Sequence, residues 1–275
     1  MTRVFLAFRD AALRFSKDGC SFLSQAIAFN ALFAIFPLVV LAFTALSYIS
    51  LPESRLLGFF DTFAPALHDY LAANLQSYVY GRGITGIVAI VILFWSGKNL
   101  FTTLGYALNK IVDVPRGRPI YHDLLLSLIM LPVMGILLIL AMLFPIILAI
   151  VLTVAGVADR HQFVHLSGYG VSFLLIFIVC ITIYSFLPNR KLPWHFGIPG
   201  ALFAACVWPA MQFAFTLYTV HVDFTRIYGA LTAPFVILLW FYFMSTLVLF
   251  GGELCTAWAQ LAGTLQAPEN VTTKP

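Results

Sequence analysis

Four stretches of this chain contain no charged residue: Ser21 to Pro52, Leu124 to Ala158, Leu192 to Val222 and Ile227 to Gly252. A helix rises about 1.5 Å per residue, so about 20 residues cross the roughly 30 Å hydrocarbon layer of a bilayer. Within that layer the backbone must satisfy its own hydrogen bonds, and of the structures that can do so only helices fit these continuous runs. Weaker apolar segments lie at Gly83 to Gly97 and Gln162 to Asn189. The expectation is an all-α, polytopic membrane bundle with six spans: Gln25–Ser50, Ile84–Leu108, Leu124–Leu152, Gly168–Leu187, Phe196–Val220 and Leu231–Cys255. Residues 1–22 read as an interfacial amphipathic helix, 23–260 as the transmembrane domain and 261–275 as a disordered cytoplasmic tail. No cleavable signal is expected, because Arg3, Arg9, Arg14 and Lys17 are scattered among apolar residues.

Charge decides orientation. Only 9% of the residues are charged, against about 25% in a soluble domain. With the N-terminus inside, the inner segments hold Arg3, Arg9, Arg14, Lys17, Lys98, Lys110, Arg116, Arg118, Arg190, Lys191 and Lys274, and the outer ones only Arg55, Arg82, Arg160 and Arg226. The excess of basic residues on the cytoplasmic side places both termini there, which requires an even number of spans. A net charge of +4 is too small to suggest a nucleic-acid partner.

Two segments outside the spans are amphipathic. Phe5, Phe8, Ala12 and Phe15 recur at helical spacing opposite Arg3, Asp10, Arg14 and Lys17, a pattern suited to a helix lying on the inner leaflet. Pro52 to Gly83 is expected to fold as two short helices over the outer mouth of the bundle. Pro37, Pro132, Pro145, Pro209 and Pro234 each remove a hydrogen bond within a span and supply places to bend. Cys20, Cys180, Cys206 and Cys255 are too scattered for a disulfide set or a metal site and read as small packing residues.

Five polar residues are candidates for a transport or structural role: Glu253, Lys98, Asn30, Gln212 and Asn109. Glu253 follows Gly251 and Gly252, whose small size would let another helix come close, and an ionisable group inside a membrane is a functional suspect by default. If the second span ends near Leu100, Lys98 snorkels to the cytoplasm on its flexible stem; if it continues to Leu108, the ammonium needs a partner, for which Glu253 is one choice. The first alternative is favoured. Asn30 and Gln212 suit hydrogen bonds between helices. No catalytic residue, metal or cofactor is expected. His161 and His165, with Asp159 nearby, have one-turn spacing but lack a third ligand or a base, and Asp113 and Asp123 with their basic neighbours make no nuclease constellation.

Ala26-Ile27-Ala28-Phe29 through Phe36-Pro37, Trp95-Ser96 followed by Ala107-Leu108-Asn109-Lys110-Ile111, Leu187-Pro188-Asn189-Arg190-Lys191 with Gly200-Ala201 and Trp208, and Tyr228-Gly229-Ala230 leading to Trp240 and Gly252-Glu253-Leu254 together resemble the YihY/BrkB family of bacterial inner-membrane proteins. Asn30 departs from the aromatic residue expected at its place in that pattern. The resemblance implies a six-helix plasma-membrane protein without agreed catalytic residues. Members have carried a ribonuclease BN label, which the residue census above opposes, and some are linked to envelope resistance or to movement of envelope lipids. The leading expectation is a non-enzymatic protein that transports or accommodates a lipid or other amphiphile between bent helices. Its partners would be membrane lipids, with a second copy or other envelope proteins beside them. The rival is a non-catalytic envelope scaffold.

Overall fold

A computed structural model describes residues 2–48, 82–114, 121, 125–126, 128–137, 151, 160–189, 194–222 and 224–263. The helices are α1 (Thr2–Lys17), α2 (Cys20–Tyr48), α3 (Arg82–Ile111), α4 (Arg160–Phe186), α5 (Ile198–His221), α6 (Phe224–Tyr228) and α7 (Thr232–Leu261), with 3₁₀ turns at Trp194–Gly197 and Gly229–Leu231. Among the described residues there is no strand. Four apolar segments among the described residues are long enough to cross a membrane: Cys20–Leu38, Gly86–Ile111, His195–His221 and Pro234–Leu261. Shorter apolar helical segments occupy Leu128–Leu137 and Phe173–Phe186. The chain is therefore a membrane protein whose described secondary structure is helical. Nearly all of Pro52 to Gly83, up to residue 81, most of Leu124–Leu152 and the tail Ala267 to Pro275 lie outside the described residues.

The helix ends differ from the expected spans for local reasons. Gly19, at φ +65°, closes α1 through its N–H to the Ser16 carbonyl, and its own carbonyl accepts from Phe22 and Leu23 to start α2. The first spanning helix thus begins at Cys20, five residues ahead of Gln25. Pro37 and Pro209 do sit inside α2 and α5. Pro234 does not break a span: it is the third residue of α7, in the first turn, where its missing N–H would have had no intrahelical partner. Thr232 opens that helix with its hydroxyl donating to the carbonyls of Phe224 (3.1 Å) and Gly229 (2.8 Å).

Packing divides the chain into two compact units, Met1–Ser24 with Phe101–Gln212 and Thr246–Pro275, and Gln25–Leu100 with Phe213–Ser245. In the first, α7 approaches three helices through glycine. A Cβ on Gly200 of α5 would overlap the Gly251 carbonyl and the Cys255 sulfur, and one on Gly251 would meet the Tyr184 hydroxyl of α4. A Cβ on Gly252 would lie 3.1 Å from Leu108 of α3. Close approach at small residues is how helices gain dispersion energy where no water drives association. Tyr184, fully buried, donates its hydroxyl to the Val248 carbonyl at 2.8 Å. The second unit is filled by rings: Phe215 against Trp240 (4.8 Å between centroids) and Phe243 (6.1 Å), and Phe235 stacked on Tyr228 (4.3 Å) and tilted against Phe224 (5.9 Å).

Candidate functional site

The first unit contains a buried charge centre at Glu253, whose side chain is 0% exposed. Its Oε2 accepts from Arg14 Nε at 3.2 Å and its Oε1 from the Cys20 thiol at 3.3 Å. The Arg14 side chain, 15% exposed, also donates from Nη1 to Gln260 Oε1 (3.0 Å) and from Nη2 to the Ile111 carbonyl and Asp113 Oδ2 (both 3.1 Å). One guanidinium therefore ties α1 to α7 and to the end of α3.

Each contact has a local cause. Val112 and Val114 donate to Leu108 and Asn109, and Asp113 adopts φ +53° to end α3, which leaves the Ile111 carbonyl facing the guanidinium. A cation at a helix C-terminus is favoured by the unpaired carbonyls there. Ser24 bonds back to the Cys20 carbonyl at 2.8 Å, the turn-by-turn bond of a buried serine. Cys20, Cys180 and Cys255 are buried and unpaired as disulfides, whereas Cys206 is exposed rather than packed.

The sequence reading missed Arg14. It placed that residue on the outward side of a leaflet helix, but α1 packs on the protein through Ala7 and Ala11 against Leu254 and Ala257. At 100° per residue, Ala7 and Ala11 lie roughly a quarter turn from the centre of the Phe5, Phe8, Ala12, Phe15 series. Arg14 follows on the same face, so the buried face is the small-residue one. The available signal was the spacing Ala7, Ala11, Arg14, together with a buried carboxylate in need of a cation.

The other candidates fall elsewhere. α3 runs unbroken through Lys98 to Ile111, contrary to an end near Leu100, and Lys98 is half-buried with no ion pair among the described residues. Glu253 has Arg14 where Lys98 was considered. Asn109 Oδ1 accepts the backbone N–H of Asn189, joining α3 to the turn after α4. Asn30 is half-buried and Gln212 exposed. Among the described residues no group of three or more His, Cys, Asp or Glu could hold a metal ion. The side chains of His161 and His165, with Asp159 and Asp123, lie outside the described residues.

Beside the charge centre runs an apolar groove of about 590 Å³ between α1, α5 and α7. Val4, Ala7 and Phe8 form one wall, Leu202 and Phe203 the floor, and His195 and Trp258 are the residues with polar tips. The second unit holds a smaller apolar groove of about 400 Å³ lined by Gln25, Phe29, Phe235 and Tyr242 among others.

Among known proteins, residues 11–272 match the family described as virulence factor BrkB. A Bacillus subtilis (strain 168) protein named ribonuclease-like protein YfkH is 28% identical over 247 residues, covering 84% of this chain and 87% of that one. A UPF0761 membrane protein of Coxiella burnetii is 28% identical over 257 residues, with 86% and 87% covered. Another, of Alcanivorax borkumensis, is 27% identical over 249 residues, which are 89% of this chain and 58% of that relative's length. No solved structure matches.

Proposed function

The chain belongs to the virulence factor BrkB family, and from that premise we propose that it is a six-span protein of the bacterial inner membrane, with both termini in the cytoplasm, that moves or accommodates a lipid or other amphiphile. The meeting of Arg14, Asp113 and Gln260 supports the topology, because the segments that the basic-residue count assigns to one side are in contact. The observation that carries the functional reading is the groove between α1, α5 and α7. Its lining is apolar except at His195 and Trp258, and its volume falls in the range of sites that take small molecules. On this reading Glu253 holds the groove's wall in place through Arg14 and does not carry cargo.

The test is movement of a fluorescent phospholipid between leaflets of vesicles containing the purified chain. Wild-type protein is expected to speed transfer over empty vesicles, and Leu202→Trp, which fills the groove floor, to abolish the gain. Equal rates with and without the wild-type protein would remove the transport reading. The name of the Bacillus subtilis relative makes RNA cleavage the competing reading. Asp113, one of its two candidate carboxylates, is occupied by Arg14. Purified protein given RNA and divalent metal is expected to leave it intact.

A further inference from the structure

α1 has two usable apolar surfaces. Ala7 and Ala11, with Arg14 beyond them, seat it on Leu254 and Ala257. Phe5, 71% exposed, and Ala12 lie on the adjoining flank, where Phe8 and Phe15 are shared between the two surfaces. In the docked position Phe8 lies against Phe203 (5.5 Å) and Phe250 (6.4 Å), and Phe15 against Phe250 (5.9 Å). The second surface is the pattern of a helix resting in a lipid interface. Neither surface by itself accounts for the sequence of α1; a helix that uses each in turn accounts for both.

Three further features suit such a movement. The link to α2 is only Asp18 and Gly19, and Gly19 sits at φ +65° with no atom closer than Lys110 Nζ, 3.9 Å, to where a Cβ would be. The polar attachment of α1 to the rest of its unit is concentrated in Arg14, at its last turn. Val4, Ala7 and Phe8 are an entire wall of the groove, so the wall leaves with the helix.

We propose that α1 is a strap with two seats: clamped by Arg14 it closes one side of the groove between α5 and α7, and released about Gly19 it lies in the adjoining lipid interface and leaves that side open. The inference takes over the groove of the functional reading but not its transport. Loss of the Arg14 contacts shifts the strap toward the lipid seat, and anionic lipid does the same by attracting Arg3, Arg9 and Lys17.

The reporter is a thiol at position 257, beneath α1, made by Ala257→Cys in a Cys206→Ser background. Full-length protein in phosphatidylethanolamine vesicles, with and without phosphatidylglycerol, is exposed to a maleimide and the modified residues are located by mass spectrometry. Arg14→Gln is expected to raise the rate at position 257 about tenfold, while buried Cys180 and Cys255 stay unmodified. The double change Arg14→Gln with Glu253→Gln, which leaves no buried carboxylate without its cation, is expected to give the same rise. Phosphatidylglycerol is expected to raise the rate with Arg14 intact. An unchanged rate in both variants overturns the strap, as does modification of Cys180 and Cys255 together with position 257, because α1 would then not move separately. A rate indifferent to phosphatidylglycerol overturns the lipid seat. Opening without lipid translocation in the same vesicles removes the transport reading and leaves the strap; translocation without opening does the reverse.

Discussion

The two units are each held together internally by different means. The first combines glycine contacts at Gly200, Gly251 and Gly252 with hydrogen bonds that have definite partners, at Arg14, Glu253 and Tyr184. The second uses clustered rings such as Phe215 with Trp240 and Phe235 with Tyr228. In a bilayer, lipid tails replace apolar side chains at little cost, so ring contacts alone specify geometry weakly. Glycine contacts and buried polar bonds lose much more when displaced, because a Cβ cannot be accommodated and a carboxylate cannot be left alone in hydrocarbon. The glycine and buried polar contacts of the first unit thus define their neighbours' positions narrowly, and single substitutions at them should have larger effects than the loss of a lipid-facing ring in the second.

The largest effect belongs to Arg14→Ala. It leaves Glu253 buried without its cation and removes the donor to the Ile111 carbonyl, Asp113 and Gln260. Breaking one side of a buried pair costs about 3–5 kcal/mol. Thermal unfolding in detergent should show a large fall in midpoint, and replacing both partners, Arg14→Met with Glu253→Leu, should recover most of it. If the single and double changes destabilise equally, the pair is not what joins α1 to α7.

This centre also marks how far the sequence could be read. The apolar runs predict helices at α2, α3, α4, α5 and α7 because the 20-residue requirement of the bilayer acts on each run separately, without knowledge of neighbours. The close approach at Gly251 and Gly252 was legible for the same reason: the absence of a side chain is a local property. What joins Arg14 to Glu253 is not local. The two are 239 positions apart, and Arg14 shares its helix with three other basic residues, none of which is marked by sequence as the one that turns inward. Pro234 shows the converse limit, since a proline in an apolar run breaks the helix only if the helix has already begun. A space between bent helices is expected from the sequence, but not its place between α1, α5 and α7, because it is the space left by three helices whose registry depends on contacts such as Gly200 with Gly251.

Next in size is Gly200→Ala. The added methyl would meet a backbone carbonyl of α7 and the Cys255 sulfur, and backbone cannot rotate away as a side-chain end can. Overpacking of this kind costs about 1–3 kcal/mol. The same change at Gly170, where a Cβ has no atom within 4 Å, is the control and should be nearly neutral in the same unfolding assay. Similar losses at both positions would mean that glycine matters here for backbone flexibility and not for the approach of α5 to α7.

The smallest effect is expected in the second unit, at Phe33→Ala. Phe29 and Phe33 are one turn apart on α2 with ring centroids 4.8 Å from each other, and both are more than half exposed. Their contact is a pair within one helix, of a kind worth about 0.2–0.5 kcal/mol in isolated helices. Exposed apolar surface on a spanning helix already faces lipid, so losing the ring exchanges one hydrocarbon contact for another. The unfolding midpoint should move by no more than the scatter between preparations. A drop approaching that of Gly200→Ala would show that this face of α2 is covered by protein in the membrane, and the contrast between the units would then have to be redrawn with a second copy or another protein included.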